Sequence, residues 1–159
     1  MPGTIERSEE VATYRSRLDD LYGRVRTWIR SRQRDASFSE TVVELAEEAT
    51  GPYKAKSLEI ARPGKPSIRL VPRGIFMVGA HGRVDARSRL GRQMLVWVEK
   101  GGPHVEIEES PGDVPWGRVI QPVYPVVEEG WVWCDEEQGR ILPLTEEVFW
   151  TRVVPPLSE

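Results

Sequence analysis

SEEVATYRSRLDDLYGRVRTWIRS, residues 8–31, is the stretch that decides how this chain begins to fold. Its apolar residues recur at alternating spacings of three and four, which places them on one face of an α-helix. Ser8 is a good N-cap, so the pattern predicts an amphipathic helix over 8–31 that packs on a sheet of the same protein. Gly23 inside it indicates a kink or close packing. The apolar stripe consists of Val11, Tyr14, Leu18, Leu21, Val25 and Trp28, widened by Tyr22 and Ile29.

Residues 37–50 support two interpretations. A capping box at Ser37–Glu40 and apolar residues at helical spacing favour a helix that stops at Gly51-Pro52. Val43 and Leu45 alternate with glutamates, which favours an edge strand instead. Both alternatives stay open at this point.

From residue 54 the apolar period changes to two, which predicts a β-rich meander over 54–144. Ile75–Val78 and Met94–Val98 are apolar on both faces and are predicted to be central strands. Five prolines lie in 103–126, so this Pro-rich segment is expected to be extended and poor in ladder hydrogen bonds.

Thr145 is expected to cap a short helix over 145–153 that ends before Pro155-Pro156. The sequence therefore predicts an α+β fold in one domain, residues 1–159. An N-terminal amphipathic helix would pack on a mostly antiparallel sheet or small barrel, with a short C-terminal helix closing the chain.

The two halves of the chain carry opposite charge. Residues 1–100 contain 19 lysines and arginines and 13 acidic residues, a net charge of +6, whereas residues 101–159 have 3 and 12, a net charge of −9. Electrostatic fields of opposite sign can hold two parts of one fold together, drive the association of copies of the chain, or attract a charged partner. We expect internal pairing of the two halves, and partner recruitment is the alternative. The candidate contacts are Arg24, Arg26, Arg30, Arg32 and Arg34 for an acidic partner, and Asp135, Glu136 and Glu137 for a basic one.

Composition restricts the setting of the protein. The longest apolar run is too short to span a bilayer, and the N-terminus lacks the apolar region of a secretory signal. Cys134 is the single cysteine, so an internal disulfide is excluded. We therefore expect a cytoplasmic protein with no cofactor and no membrane contact.

The stretch from Gly74 to Asp85 has the strongest features of a site. It lacks the Gly-Lys-Ser/Thr end of a phosphate-binding loop, so that assignment is rejected. We expect a hairpin with His81-Gly82 at its tip, where His81 and Asp85 would form an oriented general base and Arg83 an anion clamp. The competing interpretation is a turn histidine beside a surface Arg–Asp pair.

Residues 70–85 also carry a resemblance. The order Leu70-Val-Pro-Arg-Gly74, an apolar strand and then Gly82-Arg-Val-Asp85 resembles an element of small uncharacterised bacterial proteins. The similarity covers residues 50–100 and brings no activity with it. It implies a bacterial, single-domain protein.

His104, Glu106 and Glu108 alternate with apolar residues and would share one strand face. Imidazole and carboxylates can bind a divalent metal. A hydrated acidic face is the commoner outcome of such a pattern, so we predict no metal site.

Trp131 and Trp133 share a strand face, and Cys134 takes the opposite one. An exposed tryptophan pair can stack sugars, bases or prolines, but we expect both rings to fill the core. Cys134 lies beside acidic residues that raise the pKa of a thiol, so we expect it to be structural.

These patterns favour a non-enzymatic bacterial interaction protein, of accessory or immunity type, that binds another protein through a charged surface. An enzyme acting on an anionic small molecule around His81, Arg83 and Asp85 is the first alternative. Nucleic-acid binding through the arginine-rich residues 22–34 is the second, although a pI of about 5.6 is low for such a protein. Self-association of the chain is compatible with each of these three hypotheses.

Overall fold

The computed structural model describes residues 2–76, 80–101, 121–122 and 128–158, and it begins with the predicted amphipathic helix. Helix α1 spans Pro2–Arg32 and therefore starts six residues before the predicted cap at Ser8. Proline suits the first turn of a helix, because the backbone N–H that it lacks has no partner there. The predicted stripe is buried as expected, with Trp28 partly buried. A Cβ at Gly23 would meet no atom within 4 Å, so the expected close packing at Gly23 is wrong.

The ambiguous segment forms a strand. Strand β1 spans Ser37–Glu47 and pairs antiparallel with β2, Gly51–Ala61, so that Ser37 faces Ala61 and Glu47 faces Gly51. The N–H of Thr50 donates to the carbonyl of Glu47 at 3.2 Å, and Gly51 has a positive φ of 71°. This is the turn followed by a left-handed glycine that closes a three-residue hairpin loop.

Three further strands continue the meander: β3 Ile68–Gly74, β4 Arg83–Ser88 and β5 Gly91–Val98. The predicted central strand at Met94–Val98 is confirmed, because it is buried and lies between two partners. The prediction of a strand at Ile75–Val78 is wrong for Ile75 and Phe76. The ladder stops at Gly74, whose φ of 147° turns the chain out of the sheet. Residues 77–79 lie outside the described part.

The remaining strands are β6 Gln121–Pro122, β7 Gly130–Asp135 and β8 Arg140–Pro143. The sheet order is β1-β2-β3-β4-β5-β7-β8-β6, with antiparallel pairs throughout except for β6, which runs parallel to β8. As formed by the described residues, the sheet is open, with β1 and β6 at its two edges, so the alternative of a small barrel is wrong. Of the Pro-rich segment 103–126, all but β6 lies outside the described residues.

The C-terminal segment is helical beyond the predicted end. Thr145 caps α2, Glu146–Val148, by accepting the Val148 N–H at 3.1 Å, as predicted. A π-helical turn, Phe149–Val153, leads into α3, Val154–Ser158, so the prediction that Pro155-Pro156 ends the helix is wrong. Proline removes an intrahelical hydrogen bond and crowds the preceding turn. The wider π turn directly before the prolines accommodates this.

The sheet separates two apolar clusters. The larger one joins the stripe of α1 to one face of the sheet and to the C-terminal helices. The smaller one lies on the opposite face around Val96, Val132 and Ile141. No helix in the described part of the chain is both long and apolar enough to cross a lipid bilayer.

Candidate functional site

Asp85 is the centre of a charged cluster on the sheet face that points away from α1. Its side chain is only 2% exposed, and Arg83 binds it with two hydrogen bonds of 2.9 and 3.3 Å. Arg73 and Arg92 reach the same carboxylate at 3.5 and 3.7 Å. One buried negative charge therefore organises three guanidinium groups, and the group keeps a surplus of positive charge.

Strand register adds a line of cations beside this cluster. Arg69 of β3 is directly opposite Arg87 of β4, and Arg87 is directly opposite Arg92 of β5. Directly opposed residues in an antiparallel pair have Cβ atoms about 5 Å apart, and like charges there are destabilising. We call Arg69, Arg87 and Arg92 the arginine row.

The two ends of the arginine row are neutralised and its centre is not. Arg69 pairs with Glu59 at 3.4 Å, and Arg92 pairs with Glu136 at 3.1 Å. Among the described residues Arg87, which is exposed, has no carboxylate within ion-pair distance. We use the term arginine face for the row together with the two other arginines around Asp85, that is Arg69, Arg73, Arg83, Arg87 and Arg92.

His81 does not join this cluster. Its imidazole Nε2 lies 3.1 Å from Glu99 Oε1, and its ring packs edge-on against Trp97. The expected hairpin tip is also wrong. The N–H of His81 donates to the carbonyl of Trp97 at 2.8 Å, so the backbone continues the ladder with β5, and no non-glycine residue described has a positive φ. The structure brings Arg83 and Asp85 together but not His81 with Asp85.

A contact between Arg17 of α1 and Trp97 of β5, beside His81, was not predicted from the sequence. The guanidinium of Arg17 lies 3.4 Å from the centroid of the Trp97 ring, and burial lowers its pKa. Trp131 Nε1 donates to the carbonyl of Arg17 at 3.0 Å. These contacts join α1 to β5 and β7, and they depend on strand positions that helical periodicity cannot show.

The predicted helix arginines are largely engaged within the fold. Arg24 pairs with Asp20 one turn earlier, and Arg26 pairs with Glu40 of β1. Arg30 lies over Phe38 at 4.9 Å from the ring centroid, and Arg32 lies over Trp150 at 4.6 Å. Arg34 has no such contact within the described residues.

The acidic residues of the β7–β8 hairpin have other partners. Asp135 pairs with Arg140 at 3.2 Å, and Glu136 pairs with Arg92 of the arginine row. Glu137 has no ion pair in the part of the chain that the structure describes. Of the described residues, Arg92 therefore does join the basic half to the acidic one, whereas Arg24 and Arg26 have their ion pairs elsewhere.

Trp131 and Trp133 are buried at 5% and 7% exposure, as expected of core residues. Cys134 is buried on the opposite face, and its pKa is raised to about 12, first by burial and then by the charge of Glu136. The predicted direction is confirmed, with burial as the larger cause. The thiol is therefore not activated as a nucleophile.

The weak metal candidates His104, Glu106 and Glu108 lie outside the described residues. Within the described ranges no three histidine, cysteine or acidic side chains are grouped closely enough to hold a metal ion. Comparisons with protein-family models, curated proteins and solved structures found no match to this chain.

Proposed function

We propose that this chain is a non-enzymatic interaction protein that binds an acidic surface of another protein through the arginine face. The observation that carries the proposal is the arginine row, in which Arg87 is placed between two other arginines and has no carboxylate of its own among the described residues. Such an arrangement costs stability in the free protein. A partner that supplies carboxylates offsets this cost and gains electrostatic steering.

The arginine face has the features of a recognition surface rather than of a reaction centre. Arg69 and Arg73 are more than half exposed, and Asp85 beneath them is buried and fixes three guanidinium groups. Guanidinium forks held in place bind carboxylates with less loss of side-chain entropy than free ones. His81 pairs with Glu99 instead of Asp85, so these contacts give no support to the His81–Asp85 general base of the enzyme hypothesis.

We retain the proposal of a bacterial, cytoplasmic accessory or immunity-type protein. The resemblance at residues 70–85 is the support for a bacterial origin. The same element contributes Arg73 and Arg83 to the arginine face and Asp85 beneath it. The helix end at Arg30, Arg32 and Arg34 stays a second candidate surface. Stacking on Phe38 and Trp150 leaves the charges of Arg30 and Arg32 in place.

Two charge-reversal variants distinguish these surfaces. Arg69→Glu with Arg87→Glu alters the arginine face, and Arg30→Glu with Arg34→Glu alters the helix end, with the same change in net charge. The measurement is capture of partners from the host and binding of a labelled oligo-glutamate peptide as salt is raised. We expect the first variant to lose binding about tenfold or more and the second to retain it.

Three results would count against this proposal. Retention of binding by the Arg69/Arg87 variant, or loss in the helix-end variant alone, would place the surface elsewhere. Preferential binding of a labelled oligonucleotide, with a steep salt dependence, would favour nucleic acid over an acidic protein. Circular dichroism of both variants controls for unfolding.

A further inference from the structure

A groove crosses the arginine face where β2, β3 and β4 meet. Its volume is about 340 Å³. It lies over the β3–β4 pair and contains the two opposed arginines of the row that are closest to β2. Its lining residues are Glu59, Ser67, Arg69, Val71, Arg87 and Ser88.

The donors of this groove suit a compact oxyanion. Arg69 and Arg87 bring two guanidinium forks to directly opposed positions. The hydroxyl of Ser88 accepts the Leu90 N–H at 3.0 Å, which leaves its own proton free to donate. Ser67 is exposed and adds a second hydroxyl. Two cations and two hydroxyl donors match the three acceptor oxygens and nearly two negative charges of a phosphoryl group.

Glu59 limits the affinity of the groove in the free protein. It lies opposite Arg69 in the β2–β3 pair and binds that guanidinium through a long contact of 3.4 Å. The carboxylate holds Arg69 beside the groove, and it also repels an incoming anion. Of the described residues that line the groove, two arginines and one glutamate are charged, which gives a net charge of +1.

We propose that the groove between Arg69 and Arg87 is a subsite for a phosphoryl group. A carboxylate offers two oxygens and one charge, so it uses fewer of the donors present. The subsite rests on the proposed function, because it lies on the same arginine face. It specifies the phosphoryl group as the anion that binds this face most tightly. The phosphoryl group can come from a phosphorylated side chain of a partner or from a small molecule.

The test measures binding of inorganic phosphate to the full chain by amide chemical shifts in NMR titrations, with acetate as the matched anion. We expect shifts at Ser67 and Ser88 with phosphate and about tenfold weaker binding of acetate. Arg87→Gln should weaken phosphate binding about tenfold or more, and Glu59→Gln should tighten it severalfold. Arg89→Gln is the control, because Arg89 is exposed two residues away and does not line the groove.

The outcomes are distinct. Equal binding of phosphate and acetate, an unaltered affinity in Arg87→Gln, or an equal loss in Arg89→Gln would overturn the subsite. Tighter binding of a phosphoserine peptide than of inorganic phosphate identifies a protein source, and the reverse identifies a small molecule. Partner capture that depends on Arg69 and Arg87 without phosphate binding would refute the subsite and leave the proposed function intact. Phosphate binding without capture of a partner would support the subsite and refute the proposed function.

Discussion

The carboxylate of Glu47, the last residue of β1, accepts a hydrogen bond of 3.0 Å from the backbone N–H of Ile75, the first residue after β3. It also accepts the N–H of Phe76 at 3.0 Å and the hydroxyl of Tyr53. One side chain therefore satisfies two backbone donors that have left the sheet ladder. The contact joins the tip of the β1–β2 hairpin to the segment that leads towards His81.

We expect Glu47→Ala to lower the free energy of unfolding by about 2–3 kcal/mol, because it removes an ionised acceptor from several donors at once. Urea unfolding followed by circular dichroism measures the change. The neighbouring Glu48→Ala is the control, since Glu48 is exposed and has no ion pair within the described residues. It should change stability by less than about 0.5 kcal/mol. Equal effects of the two substitutions would contradict the structural role of Glu47.

The same contact explains why one sequence prediction failed and another stayed open. Ile75–Val78 has the apolar run of a central strand, but the ladder ends at Gly74. The backbone N–H groups of the next two residues donate to Glu47, which is 28 residues from Ile75 in the sequence. In 37–50 the local capping signal favours a helix, and pairing with β2 decides for a strand. At 75–76 and at 37–50, hydrogen bonds between residues distant in sequence therefore determine the backbone conformation more strongly than local secondary-structure preference does. Helix α1 was predictable because its stripe is a local pattern.

Gly82 lies against the ring of Tyr14. A Cβ at this position would approach the ring carbons to 3.0 and 3.1 Å, and the φ of 156° already disfavours a side chain. The ring cannot move aside, because Tyr14 is fully buried and its hydroxyl donates to the Arg83 carbonyl at 2.6 Å. We expect Gly82→Ala to destabilise the fold by about 2–3 kcal/mol.

The matched control for Gly82→Ala is Gly23→Ala on the exposed side of α1. Its Cβ meets nothing within 4 Å, so the substitution should stabilise the protein by about 0.5–1 kcal/mol through helix propensity. Thermal unfolding of both variants measures the difference. A stabilising effect of Gly82→Ala would show that Tyr14 does not pack as described.

Cys134 makes stability depend on alkaline pH. Its pKa in the folded protein is raised to about 12, whereas the ordinary thiol value is 9.0, so the folded state holds its proton more tightly than the unfolded chain does. The resulting stabilisation is fully present below pH 9 and is lost progressively between pH 9 and pH 12. At pH 10 the loss amounts to about 1.4 kcal/mol. Stability of the native chain and of Cys134→Ala, compared at pH 8 and pH 10, isolates the thiol from the buried tyrosines. If the native chain and Cys134→Ala lost the same stability between pH 8 and pH 10, the thiol would not be the cause of the pH dependence.

The arginine face was only partly foreseen. The sequence indicated an Arg83–Asp85 pair at the surface. The structure confirms the pair, but Asp85 is buried. The arginine row was not foreseeable, because it requires the register of two strand pairs to within one residue. The clustering of arginines along the chain favoured residues 22–34 instead. There, Arg24 pairs with an aspartate one turn away, and Arg30 stacks on an aromatic ring.

Asp85 is the residue on which the arginine face depends. In Asp85→Asn, Arg73, Arg83 and Arg92 keep their positions without the carboxylate that offsets their repulsion. We expect a loss of about 2–3 kcal/mol in the free energy of unfolding, less than for a fully buried pair because the arginines reach solvent. The loss should shrink in 1 M NaCl, since salt screens repulsion between exposed cations.

Asp20→Asn, which breaks the exposed pair with Arg24, is the control and should cost less than about 0.5 kcal/mol. A loss for Asp85→Asn as small as for this control, or one that salt does not reduce, would show that the arginines are not held in place by Asp85.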